Sequence, residues 1–85
     1  MIITPEQCRA ARAWLDWKQS ELAEAASVSA STVRDFEKER RIPTAANARA
    51  IVIALSRAGI VLTWDERGLP LGVERKRILD APTQM

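Results

Sequence analysis

The chain has no histidine and a single cysteine, and these two shortages remove most of the chemistry that small enzymes use. Without histidine there is no ligand set for a metal site of the usual kind, and neither the commonest general base nor a Ser-His or Cys-His pair can form. Cys8 has no partner for an internal disulfide, so we expect it to be a small core residue. The Asp and Glu residues are scattered among Arg and Lys at helical spacings, which is typical of a solvated face. We therefore expect no enzymatic activity, no metal and no cofactor.

Long apolar runs are also missing. No segment could span a bilayer, and the chain does not open with the basic and then apolar segment of a secretory leader. We therefore expect a cytoplasmic protein. The 85 residues have room for one domain with a modest core, which we expect over residues 1–78, with a frayed tail at 79–85. Because small cores are often supplemented by oligomerisation, a homodimer is the favoured assembly.

The most informative segment that is present spans residues 19–37. Its apolar spacing predicts two short helices joined by a tight turn, the unit that proteins place in the DNA major groove. The residues expected to form the shared core of these helices are Leu22, Ala26, Val28, Val33 and Phe36. Ser29 is a good N-cap for the second helix, where its hydroxyl would accept from Ser31 or Thr32. The turn itself is less favourable, because Ser27 occupies the position that usually needs positive φ and would best hold glycine.

Cap signals place two further helices. Thr4 is followed by proline and by Gln7, which together predict a capped helix that runs to about Leu15. Glu6, Arg9 and Arg12 are expected to face water from that helix. After a charged loop at 37–43, a Thr44 cap predicts a long helix that stops at Gly59.

The remaining segment changes from helical to strand chemistry. Residues 60–64 are rich in β-branched and aromatic residues, and turn residues separate them from a second run at 71–78, which predicts a short hairpin. The predicted fold is therefore mainly α, a compact four- to five-helix bundle containing a helix-turn-helix and followed by a short C-terminal β-hairpin or dimerisation strand.

Two features indicate a subunit interface. The predicted long helix is apolar on two sides, which is more than a monomer of this size readily covers. An isolated two-stranded hairpin is barely stable in water, so it must pack on the helices or pair with the same element of a second chain. Trp64 would then either anchor the interface or cover its own domain. The candidate dimer-interface residues are Ala50, Ile53, Ala54, Ile60, Leu62 and Trp64.

The net charge of +2 says less than the distribution of charge. Residues 1–30 carry three cations and four anions, whereas residues 31–49 carry five cations against three anions. The cationic excess begins at the second helix of the motif and continues just past it, where a duplex backbone would lie.

The chain resembles the small Cro/C1-type helix-turn-helix regulators of phages, plasmids and other mobile elements, also called the xenobiotic-response-element family. The resemblance covers roughly residues 5–58. It is carried by Gln19, Leu22, Ala23, Val28, Ser29, Ser31, Thr32, Val33, Phe36, Glu37 and Pro43. It implies a bundle of four or five helices whose third helix reads DNA. Asp16 and Ser27 depart from it where glycine is common, and Lys18 departs from it where a Ser or Thr cap is usual.

The positions of residues within this pattern indicate which of them would contact DNA bases and which would contact phosphates. The residues expected to contact base edges are Ser29, Ala30, Ser31, Arg34 and Asp35. The residues expected to contact phosphates are Lys18, Gln19, Thr32, Lys38, Arg40 and Arg41. Arg34 could instead contact a phosphate, and an ion pair to Arg34 or Arg40 is favoured over base contact for Asp35. For each loop cation, simple solvation remains the alternative.

The leading functional hypothesis is a homodimeric transcriptional repressor, or dual regulator, that binds an inverted-repeat operator in double-stranded DNA through the helix starting near Ser29. The alternative is an antitoxin or antiactivator whose bundle or hairpin binds a partner protein. A third possibility is a structural helical module that has lost DNA binding.

Overall fold

The computed structural model describes residues 3–76, which form four helices followed by a two-stranded antiparallel hairpin. The elements are α1 (Pro5–Leu15), α2 (Gln19–Ala26), α3 (Ala30–Glu37), α4 (Ala45–Arg57), β1 (Ile60–Trp64) and β2 (Pro70–Arg75). The predicted fold class is confirmed, with four helices in the bundle. The last two residues of the predicted domain and the predicted tail at 79–85 lie outside the described residues.

Local hydrogen bonds explain where the first two helices begin. The Thr4 hydroxyl accepts from the amide of Gln7 at 3.1 Å, and the Gln7 side chain accepts from the amide of Thr4 at 3.0 Å, which completes the predicted capping box. At the start of α2 only one of these two hydrogen bonds forms. Glu21 accepts from the amide of Lys18 at 2.7 Å. The opposite bond is missing because a lysine side chain has no acceptor for the amide of Glu21.

The three interhelical turns each pass through a left-handed residue that is not glycine. Asp16 ends α1 with φ 58°, Ser27 ends α2 with φ 58°, and Glu39 follows α3 with φ 59°. Aspartate tolerates this region because its short polar side chain bonds locally, whereas serine has less compensation. The expectation of positive φ at Ser27 is thus confirmed.

The hydrophobic core lies where the helices and the hairpin meet. Its largest fully buried side chains are Leu22, Ile51, Leu55, Val33 and Cys8. Complete burial of each aliphatic member contributes about 1.5–3 kcal/mol. The predicted motif core is confirmed, because Leu22, Ala26, Val33 and Phe36 are buried and Val28 packs against them. Between residues 3 and 76, no helix is long and apolar enough to cross a membrane.

The hairpin pairs within the chain and is fastened to the bundle. Ile60 lies opposite Arg75 and Leu62 opposite Val73, with an irregularity after Thr63. The buried side chain of Gln7 donates to the carbonyls of Thr63 and Gly72 at 3.2 and 3.1 Å. β1 also contacts α4, and β2 contacts α1. The hairpin is therefore packed as part of the domain.

Two of the predicted interface residues belong to the core of their own chain. Ala54 is buried on the same side of α4 as Ile51 and Leu55, and Ile60 is buried where the hairpin folds back against the helices. Their side chains have almost no surface to offer a partner, which argues against these two members of the predicted interface, while the interface itself stays a prediction. Ile53 is 44% exposed and remains available.

Replacing Ser27 by glycine should stabilise the protein. Glycine adopts positive φ without a steric penalty, so Ser27→Gly should raise the free energy of unfolding by about 0.5–1 kcal/mol. Ser20→Gly is the matched control, because Ser20 is exposed within α2 and the change there should cost about 0.5 kcal/mol of helix propensity. Urea unfolding followed by circular dichroism measures both; equal destabilisation by the two changes would contradict the assignment of strain to Ser27.

Candidate nucleic-acid interface

One side of α3 does not pack against the other helices. Ser29, Ala30, Ser31 and Arg34 are exposed, while Val33 and the rest of the inner side are buried against α2. A short helix that is anchored on one side and open along the other can enter the DNA major groove, which is about 12 Å wide. The sequence-predicted base-reading residues therefore lie together on one accessible surface.

The hydroxyl groups at the start of α3 form a small cluster. Ser29 Oγ accepts from the amide of Thr32 at 3.1 Å and lies 3.0 Å from Ser31 Oγ and 2.8 Å from Thr32 Oγ1. Ser29 is thus the predicted N-cap, and capping occupies much of its hydrogen-bonding capacity. Ser31 has fewer internal bonds and is the better placed of these residues to donate to or accept from a base.

Arg34 and Asp35 form the ion pair that was the favoured alternative for Asp35. Arg34 Nε lies 3.7 Å from Asp35 Oδ1, and both groups are partly solvated. Such pairs contribute only about 0–1 kcal/mol. The arginine can therefore exchange this partner for a base or a phosphate at little cost, while the carboxylate restrains its direction.

The loop after α3 is held against the end of that helix. The amides of Arg40 and Arg41 donate to the carbonyl of Asp35 at 2.8 and 3.4 Å. Lys38, Arg40 and Arg41 are exposed, as expected for phosphate contacts. A groove of about 150 Å³ joins this loop to the front of α3 and to the start of α4, so that Ser31, Arg41 and Asn47 line one surface.

Ile42, within this loop, was not singled out as a functional residue. It is 92% exposed and lies between Arg41 and Pro43 at the edge of the groove. The sequence signal that could have identified Ile42 is its position, since it is an apolar β-branched residue directly after a run of charged residues. Asn47, whose amide is capped by Thr44 at 3.1 Å, was likewise missed. Only the groove that the loop and the start of α4 share with α3 reveals that these residues adjoin the candidate interface.

The orientation of α3 depends on Glu37, its last residue. The Glu37 side chain is 2% exposed and accepts two hydrogen bonds from Arg12, with Nε to Oε2 and Nη2 to Oε1 both at 2.7 Å. It also accepts from Gln19 Nε2 at 2.9 Å and from Cys8 Sγ at 3.1 Å. Arg9 donates to the Glu37 carbonyl oxygen. These contacts, named here the Glu37 cluster, join α1, α2 and α3.

This cluster corrects two expectations. Glu37 is not part of a charged loop but is buried at the end of α3, because four side chains converge on it. Arg9 is exposed as expected, whereas Arg12 is only partly exposed. Arg12 also donates to the carbonyl of Trp17 at 2.9 Å, so its guanidinium joins the turn after α1 to the end of α3.

The cluster fixes the protonation states of its members. Burial alone would raise the pKa of Glu37, but hydrogen bonds from Arg12, Gln19 and Cys8 outweigh it and lower the pKa below its usual 4.5. Burial, reinforced by the neighbouring Glu37 carboxylate, raises the pKa of the Cys8 thiol. Cys8 therefore stays protonated and donates, which fits its predicted place in the core.

The helices that carry this surface match a known family. A model of the helix-turn-helix family matches residues 9–57, more than half of the chain. The chain belongs to the Cro/C1-type helix-turn-helix family. As a member of this family it is a DNA-binding transcription regulator. A search of curated proteins found no match.

Within this Cro/C1-type domain, the side-chain amide of Gln19, which was predicted to contact a phosphate, instead donates to Glu37. The main-chain amide of Gln19 lies at the first position of α2. The N-terminus of a helix carries a partial positive charge and favours anions. Lys18 is exposed beside it and can add a full charge.

The stability of the Cro/C1-type domain should depend on the charge of Glu37. Because the folded state lowers the pKa of Glu37, the stabilisation is present above the usual value of 4.5 and is lost as pH falls below it. Glu37→Gln leaves Arg12 without its countercharge and should cost about 3 kcal/mol at pH 7. The difference from the parent should shrink as the pH falls below about 4.5, because the unfolded chain then takes up a proton at Glu37 before the folded protein does.

Urea titrations at several pH values measure this difference. Glu24→Gln is the control, since Glu24 is exposed on α2. A cost for Glu37→Gln that stays constant from pH 7 to about pH 3 would show that its charge contributes nothing.

Proposed function

We propose that the chain is a homodimeric repressor that binds an inverted-repeat operator in double-stranded DNA through α3. The observation that carries this proposal is the exposed front of α3, which shares a groove with Arg41 of the following cationic loop. Such a surface matches a groove floor flanked by phosphates. Repression by occupying a promoter requires only binding.

Base reading by one subunit is weak. Ser29, Ala30 and Ser31 are short, and Ser29 is occupied with capping. Ala30 can touch a thymine methyl group, Ser31 can bond to several base edges, and Arg34 can take guanine in a bidentate pair. Each good bidentate contact discriminates by about 1–3 kcal/mol, which is insufficient for selective binding to one half-site. Two half-sites about one helical turn apart would supply the remainder.

Phosphate contacts would hold α3 in register. The start of α2, with Lys18 and the amide of Gln19, lies before the recognition helix, and Lys38, Arg40 and Arg41 follow it. Each phosphate neutralised releases condensed counterions, so affinity should fall steeply with salt. Ile42, at the edge of this surface, would contact the sugar-phosphate backbone through its apolar side chain.

The test is selection of bound sequences from random duplex DNA, followed by gel shifts at several salt concentrations. We expect a sequence with two-fold symmetry and half-sites about 10 base pairs apart, and an affinity that falls as salt rises. Selection of no preferred sequence, or of a single unrepeated site, would refute the proposal for an inverted-repeat operator.

Replacing Arg34 by alanine separates its two possible roles. If Arg34 reads a base, Arg34→Ala should cost about 1–3 kcal/mol on the selected site and relax preference at one base pair. Arg41→Ala should instead weaken all duplexes alike and reduce the salt slope by about 1. Arg67→Ala, an exposed change in the turn between β1 and β2 and outside α3 and its loop, is the matched control. Uniform weakening by Arg34→Ala would assign Arg34 to a phosphate.

One observation favours the alternative role as an antitoxin or antiactivator. A groove of about 380 Å³ between α1 and β2 is lined by Ala10 and by the exposed Leu71, neither of which is in α3 or its loop. A helix from a foreign protein would fit such a surface. Light scattering of the purified chain discriminates, because a stable monomer favours this alternative and a dimer favours the repressor.

A further inference from the structure

Arg34 and Asp35 are adjacent in sequence, and yet their side chains meet. Residues one position apart project about 100° apart around a helix, so their side chains do not face each other. The contact between Arg34 Nε and Asp35 Oδ1, at 3.7 Å, therefore forms because the longer arginine side chain bends toward the aspartate. The position of the carboxylate thus decides where the guanidinium lies.

Asp35 is the better anchored member of this pair. Its main-chain carbonyl accepts from the amides of Arg40 and Arg41, at 2.8 and 3.4 Å, which ties the last turn of α3 to the following loop. The exposed fraction of its side chain is 26%, against 47% for Arg34. An aspartate also has fewer rotatable bonds than an arginine, so it loses less entropy on being fixed. The aspartate therefore orients the arginine more than the arginine orients the aspartate.

The pair leaves the end of the guanidinium available. The closest approach to Asp35 is made by Nε, and the two Nη groups of Arg34 form no hydrogen bond within residues 3–76. A guanidinium presents its N–H donors in a rigid, planar fork. The carboxylate can therefore remain at Nε while both Nη groups reach the O6 and N7 acceptors of one guanine in the major groove.

This guanidinium lies on the proposed base-reading side of α3. Ser31 precedes Arg34 by three positions and Asp35 by four, and residues at these spacings are neighbours on a helix surface. Helical side chains lean toward the N-terminus of their helix, which is the end of a recognition helix that contacts bases. Ser31 and Asp35 also line the same groove. Asp35 therefore directs Arg34 toward the part of α3 where base edges would lie.

The carboxylate also disfavours a phosphate as the partner of Arg34. A phosphate bound at the Nη groups would bring a full negative charge close to the Asp35 carboxylate, and like charges repel. The acceptor edge of a guanine carries only partial negative charges in the same place. The ion pair therefore binds a guanine at a smaller electrostatic cost than a phosphate.

We propose that Asp35 is the positioning residue that makes Arg34 a reader of guanine. Asp35 stays paired with Nε, while the two Nη groups bind O6 and N7 of one guanine in each half-site. This inference rests on the proposed function and names the base that α3 selects at this position. Without the carboxylate, Arg34 binds phosphates as readily as bases, so the preference for guanine is lost while the affinity for DNA is kept.

Asp35→Asn tests this role, because it removes the charge and retains the size of the side chain. The site is the base pair at which Arg34→Ala relaxes the sequence selected from random duplex DNA. In gel-shift titrations the parent should prefer guanine over adenine there by about five-fold or more, and Asp35→Asn by less than about two-fold. The affinity of Asp35→Asn for unrelated duplexes should be equal or higher, because an anion has been removed from a surface that faces phosphates.

Glu39→Gln is the matched control, since it removes an equal charge from the exposed loop and should leave the preference for guanine unchanged. In an Arg34→Ala background, Asp35→Asn should have no further effect on base preference, because the carboxylate acts through the arginine. A guanine analogue with carbon in place of N7 should weaken binding of the parent more than that of Asp35→Asn. Asp35→Ser repeats each measurement, and thermal melts establish that the variants are folded.

The outcomes separate this inference from the proposed function. A preference for guanine that is lost in Asp35→Asn, with no effect of this change in the absence of the Arg34 side chain, supports the positioning role. Three results overturn it and leave an inverted-repeat operator intact: a preference that survives Asp35→Asn, a changed preference in the Arg34→Ala background, or a selected site in which Arg34→Ala relaxes no guanine. Selection of no preferred sequence overturns both.

Discussion

The buried ion pair between Arg12 and Glu37 is the interaction on which the arrangement of the helices depends. It joins residues 25 positions apart and satisfies both carboxylate oxygens at the point where α1, α2 and α3 meet. Removing one member of such a pair costs more than the pair contributes, because the remaining charge is stranded. The orientation of α3, the proposed recognition helix, is therefore determined by contacts on its buried side. Its exposed residues can change without disturbing that orientation.

The local features of this chain were predictable because they depend on neighbours in sequence. Thr4, Ser29 and Thr44 lie at helix starts with their capping partners three residues away, and Ser27 adopts the positive φ expected of its position. The features that escaped prediction depend on distant partners. Glu37 lies in a run of charged residues, and nothing near it indicates that Cys8, Arg12 and Gln19 converge on it.

The same limit applies to the candidate sites. That the front of α3 is exposed follows from helical periodicity, so the proposed base-reading residues could be placed from sequence. The burial of the Ala54 and Ile60 side chains was not foreseen, because an apolar stripe does not reveal which side another element covers. Ile42 and Asn47 adjoin the front of α3 only through the groove that the loop and the start of α4 share with it, which periodicity does not specify.

Gln7 couples two parts of the molecule that are far apart in sequence. The same side chain closes the cap of α1 through its oxygen and holds both strands of the hairpin through its nitrogen. The hairpin therefore cannot detach without also stranding a buried amide and loosening the start of the first helix. In hydrogen exchange, the amides of the first turn of α1 and of the hairpin should therefore open together as one cooperative unit, although Gln7 and Thr63 lie 56 positions apart in sequence. Through Gln7 the hairpin is thus connected to α1, whose Arg12 bonds to Glu37 at the end of α3.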